Sequence, residues 1–173
     1  MTRPRKHIKL KKLDNIVEAI SLIIVVSSWL LLFLNYSELP EIIPTHYNAS
    51  GEIDGVGEKS SLIHLPTVAT IIYIVLTLLA RYPHLFNYSP EITEENAVRQ
   101  YTIASAMVRY LKCSIVLIFF LIMFKTIQSI EGSSEGLGQW FLPLVLGLVF
   151  VPILYFLVKS GRANVGSIEE DRH

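Results

Sequence analysis

The hydrophobic residues of this chain are concentrated in four long runs that are separated by polar segments. A bilayer core about 30 Å thick is crossed by a helix of roughly 20 mainly apolar residues, and a chain in lipid must satisfy its own backbone hydrogen bonds, which favours helices. The runs cover residues 16–34, 62–80, 105–127 and 140–158. The pattern therefore predicts an all-α integral membrane protein, with four transmembrane helices within residues 16–158.

The first run also has the general plan of a secretory signal peptide, because basic residues precede it. It is longer than the usual apolar region of such a peptide, and residues 35–40 contain no small-x-small cleavage site. We therefore expect this run to be retained as a membrane span.

The positions of the basic residues predict the orientation of the helices, because lysine and arginine collect on the cytoplasmic side of a membrane. Of the 15 such residues, all except Lys59 and Lys125 lie before the first span, around the connection between the second and third, or after the fourth. We expect residues 1–15 and 159–173 to be cytoplasmic. The protein is thus predicted to be a multi-pass protein of the cytoplasmic membrane of a bacterium or archaeon.

Composition adds little to this picture. The formal net charge is zero, so no basic surface for nucleic acid is indicated for the chain as a whole. The single cysteine, Cys113, falls in the third run, so an internal disulfide is excluded. The lipid bilayer is the one partner that the pattern itself predicts, and nothing in it indicates an oligomeric state.

The connection between the first two spans, residues 35–61, carries most of the specific information. Connections of this length are usually functional or disordered. Its prolines and glycines, and the alternation around Tyr47, favour an extended piece that ends at Tyr47, a turn at residues 48–51 and a second turn at Asp54-Gly55. We therefore predict an ordered extracytoplasmic loop between helices 1 and 2.

The spacing of residues in this loop is distinctive. From Leu39 to Lys59 the sequence reads LP-x-x-IP-x-H-x-N-x-x-G-x-x-D-G-x-x-x-K. This string resembles the signature of the membrane family known as domain of unknown function 1648 (DUF1648), and residues 87–101 resemble the short members of that family. The signature positions, predicted to bind a partner or to hold the loop together, are Pro40, Pro44, His46, Asn48, Gly51, Asp54, Gly55 and Lys59.

The resemblance implies a class of function. Related proteins protect a cell from its own secreted sporulation-delaying toxin and signal to a cytoplasmic repressor, and in them a domain like this one is followed by further membrane helices. The resemblance therefore implies an immunity-like role, with an extracytoplasmic peptide or protein and a cytoplasmic protein as partners. Val56 stands here where the family usually has an aromatic residue.

A metal site is an alternative use of the loop. His46 and Asp54, with His64 at the start of the second span, supply imidazole and carboxylate ligands. The competing interpretation is that His46, Asn48 and Asp54 bond to turn backbone and hold the loop in shape. The sequence contains neither an HExxH nor a CxxC motif, so no cofactor is predicted and catalytic residues are not indicated.

Charged residues also fall within the predicted spans. Glu18 is the only acid of the first span, and Arg109 and Lys112 lie one turn apart on the third helix. The two basic side chains either snorkel to the interface or pair with Glu18 inside the membrane. The third helix itself is expected to begin near Thr93, whose hydroxyl can cap it.

These observations favour a non-enzymatic protein with a sensing, immunity-like or interaction role through the loop. A small transporter or ion-binding protein, in which Glu18 and the basic pair form a polar relay, is the second hypothesis. A metal-dependent membrane enzyme is the third.

Overall fold

The computed structural model describes residues 3–89 and 91–170, with the side chains from residue 164 onward excluded from the description. Within these residues the chain forms four α-helices and one β-hairpin. In chain order these are α1 (Lys12–Asn35), β1 (Ile42–Tyr47), β2 (Ile53–Glu58), α2 (His64–Leu79), α3 (Ala97–Ile130) and α4 (Phe141–Glu170).

Four helical segments are long and apolar enough to cross a membrane, as the sequence predicts. They are Lys12–Asn35, Lys59–Leu79, which includes the 3₁₀ turn before α2, Ala97–Ile130 and Phe141–Ala163. Large apolar side chains also cover the outside of the bundle; Phe33, for example, is 82% exposed. Such a surface is stable against lipid rather than water, and the protein is a multi-pass membrane protein.

Helix α3 is the centre of the bundle, because it packs against α1, α2 and α4. Its 34 residues give it a length of about 50 Å at 1.5 Å per residue. Polar residues are buried along it together with apolar ones, among them Gln100, Ser105, Arg109 and Thr126. The helix therefore carries most of the buried polar residues of the described chain.

The two ends of the bundle differ in structure. The hairpin end consists of β1, β2 and the α3–α4 loop, residues 131–140. The linker end consists of the amino-terminal segment, residues 3–11, and the α2–α3 linker, residues 80–96.

The hairpin is held on the helices by a buried apolar cluster. Ile43 of β1 is buried between residues from all of α1, α2 and α3 and their flanking segments. The members of the cluster are Leu32, Leu39, Ile43, Leu62, Met123 and Ile127. Detaching the hairpin would expose these apolar side chains to water and lose the free energy of their burial. The hairpin is therefore part of the folded body.

The hairpin has one turn, where the sequence predicted two. The first predicted turn is present between Tyr47 and Ile53. The second is wrong, because Asp54 and Gly55 lie within β2, and Gly55 pairs with His46 of β1. The register shifts on either side of His46, and such an irregularity accommodates an Asp-Gly pair inside a strand without a turn.

Two helix ends also differ from expectation. Helix α3 begins at Ala97 and not near Thr93, as the sequence predicted. Residues 94–96 form a turn before the helix. The side chains of Thr93 and Asn96 each accept a hydrogen bond from the other residue's backbone N–H group and close this turn. Helix α4 continues to Glu170, although the polar composition of residues 160–173 predicts a loose tail. The final predicted tail residues, 171–173, lie outside the described residues.

Candidate functional site

Asn48 organises the tip of the hairpin. Its side-chain Oδ1 accepts hydrogen bonds from the backbone N–H groups of Ser50, at 2.9 Å, and Glu52, at 3.0 Å. Its Nδ2 donates to the Glu52 carboxylate at 2.8 Å, and the backbone N–H of Asn48 donates to the Glu52 carbonyl at 2.9 Å. All these bonds stay within the turn, so Asn48 acts as its structural centre.

His46 and Asp54 form an exposed pair across the two strands, with Nδ1 and Oδ1 2.5 Å apart. The two side chains are 72% and 41% exposed, so solvent reaches both. Gly55 lies directly opposite His46, and a Cβ atom at Gly55 would sit 2.9 Å from the His46 Cβ. The pair therefore requires a glycine next to Asp54.

Lys59 closes the open end of the hairpin. Its Nζ lies 2.8 Å from the Glu41 carboxylate, and its backbone N–H donates to the Glu41 carbonyl at 2.9 Å. The ammonium also lies 5.5 Å from the centre of the Tyr36 ring, within the range of a cation–π contact. Lys59 thus joins the end of α1 to both strands.

The two signature prolines border and enter β1. Pro40 is exposed just before the strand, and Pro44 lies in it opposite Val56. A proline is tolerated in a strand whose N–H is not needed by a neighbour, and in a two-stranded sheet each strand has one open edge.

The hairpin tip is bonded to the α3–α4 loop. The Gly51 carbonyl accepts a hydrogen bond from the backbone N–H of Leu137 at 2.8 Å, and Glu52 forms an isolated bridge with Gly136. Gly51 has φ +79°, and a Cβ atom there would lie 2.5 Å from the Gly138 carbonyl oxygen. Only glycine fits this junction.

Sequence reasoning missed the partner residues of this junction, Gly136, Leu137 and Gly138. Two glycines in a short loop were the only available signal, and the same pattern is typical of any turn. The pairing depends on the packing of α3 and α4, which brings this loop beside the hairpin.

A second contact joins the hairpin to α3. The Tyr47 and Thr126 hydroxyl oxygens lie 2.7 Å apart, and Thr126 is buried. Burial raises the pKa of Tyr47 above its usual 10.0, while the hydrogen bond with Thr126 acts in the opposite direction. Burial therefore favours the neutral, protonated form of this phenol.

His64 does not join His46 and Asp54. Its Nδ1 lies 2.9 Å from the Ser61 carbonyl oxygen in the turn before α2. Among the described side chains, those of residues 3–89 and 91–163, no group of three or more His, Cys, Asp or Glu is arranged to hold a metal ion.

The structure brings Glu18, Arg109 and Lys112 together in the bundle. Lys112 is fully buried, and its Nζ donates to the Glu18 carboxylate and to the Thr77 hydroxyl, the latter at 2.7 Å. The Arg109 Nε lies 3.3 Å from the other Glu18 oxygen. The Lys112 ammonium also lies 4.5 Å from the centre of the Tyr73 ring.

Each charged side chain of this cluster, Glu18, Arg109 and Lys112, has an ion-pair or hydrogen-bond partner. Arg109 donates to the Ser105 hydroxyl at 3.0 Å, and Ser105 donates to the Ala80 carbonyl. Within the described part of the chain, no buried side-chain nitrogen or oxygen lacks a hydrogen-bond partner. A charge in a membrane span is costly unless it is paired in this way, so the cluster ties α1, α2 and α3 together.

The hairpin and its flanking helices are the part of this chain that matches a known protein family. A family described as "Domain of unknown function (DUF1648)" matches residues 23–70. An uncharacterized protein of Archaeoglobus fulgidus is 38% identical over 76 residues, which represent 39% of this chain and 42% of that protein. The match thus spans less than half of the relative's length. No solved structure gives a significant match.

The matched residues run from the middle of α1, through the whole hairpin, into α2. They include every position of the loop signature from Pro40 to Lys59, and they exclude α3 and α4. The match supports the resemblance of the loop signature to this family, and the part of the chain that it covers, residues 23–70, is referred to as the DUF1648 region.

Proposed function

We propose that this protein is a non-enzymatic sensor or immunity-like interaction protein of a prokaryotic cytoplasmic membrane. Its hairpin faces the extracytoplasmic side and binds a peptide or protein partner. The observation that carries the proposal is that the hairpin is fixed to the bundle on one side and open on the other.

The open side has the character of a recognition surface. Ile42 is 57% exposed and Val56 is 66% exposed, and they lie on the same two strands as the solvent-exposed pair of His46 and Asp54. Exposed apolar side chains beside polar groups are typical of protein interfaces. The open strand edges also offer backbone groups to an extended peptide.

The use of the signature residues favours recognition over catalysis. Asn48, Gly51 and Lys59 are engaged in bonds that shape the hairpin. A rigid loop with an exposed face binds a partner without first having to become ordered, which lowers the entropic cost of binding.

The orientation is supported by the distribution of charge. Basic residues lie mainly at the linker end, and the positive-inside rule assigns that end to the cytoplasm. Helix α3 runs from Thr126, which contacts the hairpin, to the linker end. A cytoplasmic partner bound at the linker end would therefore contact the same helix that supports the hairpin.

The experiment tests orientation and recognition separately. In a Cys113→Ser background, cysteines placed at Val56 and, as the matched control, at the exposed linker-end residue Arg99 are treated with a membrane-impermeant maleimide in intact cells. We expect labelling at position 56 in intact cells and at position 99 only after permeabilisation. The opposite result would contradict the proposed orientation.

Recognition is tested with a photoreactive amino acid at position 42 in living cells. We expect a discrete cross-linked adduct that disappears when Val56→Asp is added, with the melting temperature unchanged. An unaltered adduct, or no adduct in any growth condition, would overturn the proposed recognition surface.

A further inference from the structure

A large cavity lies at the linker end of the bundle, between the amino-terminal segment and helices α1, α2 and α3. Its volume is about 800 Å³. It is separate from the hairpin, which lies at the other end of the bundle, so the proposed recognition surface does not use it.

The cavity walls are strongly basic. Four cationic side chains line it, Arg5, Lys6, Arg81 and Arg109, against a single carboxylate, that of Glu18. Glu18 is already engaged by Arg109 and by buried Lys112. The positive charge that remains has no acid inside the cavity to balance it.

Arg5 and Arg81 are the uncommitted charges. Within the described residues, neither makes a salt bridge or a side-chain hydrogen bond. Lys6, by contrast, pairs with Glu94 at 2.5 Å. Two arginines that face one cavity, with no partner among the described residues, are suited to bind an anion, because guanidinium groups match phosphate oxygens in geometry.

The lining also includes apolar and aromatic residues beside the polar His7, Thr77 and His84. Ile8, Leu10 and Tyr73 contribute to the walls. The cavity adjoins the end of α2, a helix long enough to cross the membrane. It therefore combines a basic site with apolar walls at the level where a leaflet presents its phosphates, which is the arrangement found in headgroup sites between membrane helices.

One wall is held in place by contacts of the amino-terminal segment. Arg3 donates to the Phe86 carbonyl and lies 5.7 Å from the centre of the Tyr88 ring. The Tyr101 hydroxyl donates to the Pro4 carbonyl at 3.0 Å. Burial raises the pKa of Tyr88, which keeps that ring neutral beneath Arg3. The segment just before Arg5 is thus held by contacts with both the α2–α3 linker and helix α3.

We infer that this cavity binds a phosphate-bearing anion through Arg5 and Arg81, with a phospholipid headgroup of the adjacent leaflet or a soluble phosphate compound as its source. The two sources share the same chemistry. A lipid would also bind through its acyl chains, whereas a soluble phosphate compound would bind through its phosphate alone. The experiment distinguishes these two sources.

The full chain is reconstituted in nanodiscs of phosphatidylcholine, with or without phosphatidylglycerol, and its melting temperature is measured. We expect the anionic lipid to raise the melting temperature of the wild type by about 4 °C or more. The double variant Arg5→Gln, Arg81→Gln should lose this rise. The matched control Lys9→Gln, Arg99→Gln, which removes two exposed basic residues outside the cavity, should keep it.

Inorganic phosphate and pyrophosphate, added to the phosphatidylcholine nanodiscs, identify the source. A rise in melting temperature with these salts that depends on Arg5 and Arg81 indicates a soluble ligand; a rise with phosphatidylglycerol alone indicates the lipid. Equal stabilisation of the wild type and the cavity variant, or none by any anion, would overturn the inference.

Native mass spectrometry provides a second measurement that does not depend on unfolding. The wild type should retain phosphatidylglycerol with about ten-fold or higher affinity than the cavity variant. The variant Arg5→Lys, Arg81→Lys keeps the charge and should retain part of the binding.

Discussion

Gly51 and Leu137 join the two loops of the hairpin end, since the Gly51 carbonyl accepts the Leu137 backbone N–H at 2.8 Å. The bond uses main-chain atoms on both sides and depends on the close approach of glycines. It makes the loop between α3 and α4 a structural support of the DUF1648 region, although the family match does not include that loop.

Replacing Gly51 by alanine should therefore destabilise the protein more than the backbone conformation alone explains. Gly51→Ala should cost about 3 kcal/mol, from left-handed strain plus the clash of the new Cβ with Gly138. Gly132→Ala is the matched control, because Gly132 has φ +73° but open space around its Cβ position; it should cost about 1 kcal/mol. Unfolding in detergent measures both, and equal losses would contradict the clash.

Replacing Asn48 by alanine should loosen the hairpin tip. Asn48→Ala removes the acceptor of two backbone N–H groups and should cost about 1–2 kcal/mol. Ser50→Ala is the control, since Ser50 contributes its backbone N–H to this turn. Limited proteolysis should cut the hairpin of the Asn48 variant faster than that of the control; equal cleavage rates would argue against the structural role of Asn48.

Removing the Lys112 ammonium should destabilise the bundle strongly. Lys112→Met leaves Glu18 with Arg109 alone, and breaking a buried pair costs about 3–5 kcal/mol. The control Lys125→Met removes an ammonium of α3 that donates to Gln128 at 3.2 Å, and it should cost about 1 kcal/mol or less. The double variant Glu18→Gln, Lys112→Met should be more stable than the two single losses predict, and simple additivity would show that the two residues are not coupled.

The Tyr47 hydroxyl should make stability depend on alkaline pH. Burial raises the pKa of Tyr47 in the folded protein, so its contribution is complete below the unfolded pKa, about 10, and is lost as pH rises through the folded pKa. Tyr47→Phe should cost about 1 kcal/mol at pH 7, and the difference from the wild type should shrink above about pH 10. Tyr155→Phe, at an exposed tyrosine of α4, is the control. A constant difference across this pH range would contradict the burial effect.

The membrane helices were predictable because their determinant is local. A run of about 20 apolar residues defines a span whatever it packs against. The turn at Asn48 was predictable for the same reason, since the side chain bonds to its own neighbouring backbone. Asp54-Gly55 has equally strong turn chemistry, yet pairing with His46 places it in a strand, so a non-local contact overrode a local preference.

The remaining contacts depend on packing that the pattern does not encode. The sequence leaves pairing of Lys112 with Glu18 open, but the two residues are far apart along the chain, and snorkelling of the lysine to the interface is also compatible with the sequence. The contact of Arg3 with the Phe86 carbonyl has no signal at all, because a basic terminal segment ordinarily indicates a solvated or headgroup-bound tail. Gly51 and Leu137 likewise meet only after α3 and α4 have assembled.

The contacts of the amino-terminal segment also constrain the order of assembly. The partners of residues 3–6 lie between His84 and Tyr101, so these partners leave the ribosome long after the segment itself. During synthesis the first two helices must enter the bilayer while the segment is still without its docking site. The basic cavity is therefore a late product of biogenesis, and a nascent chain stalled before Tyr101 would expose Arg3 and Arg5 to the insertion machinery and to the lipid surface.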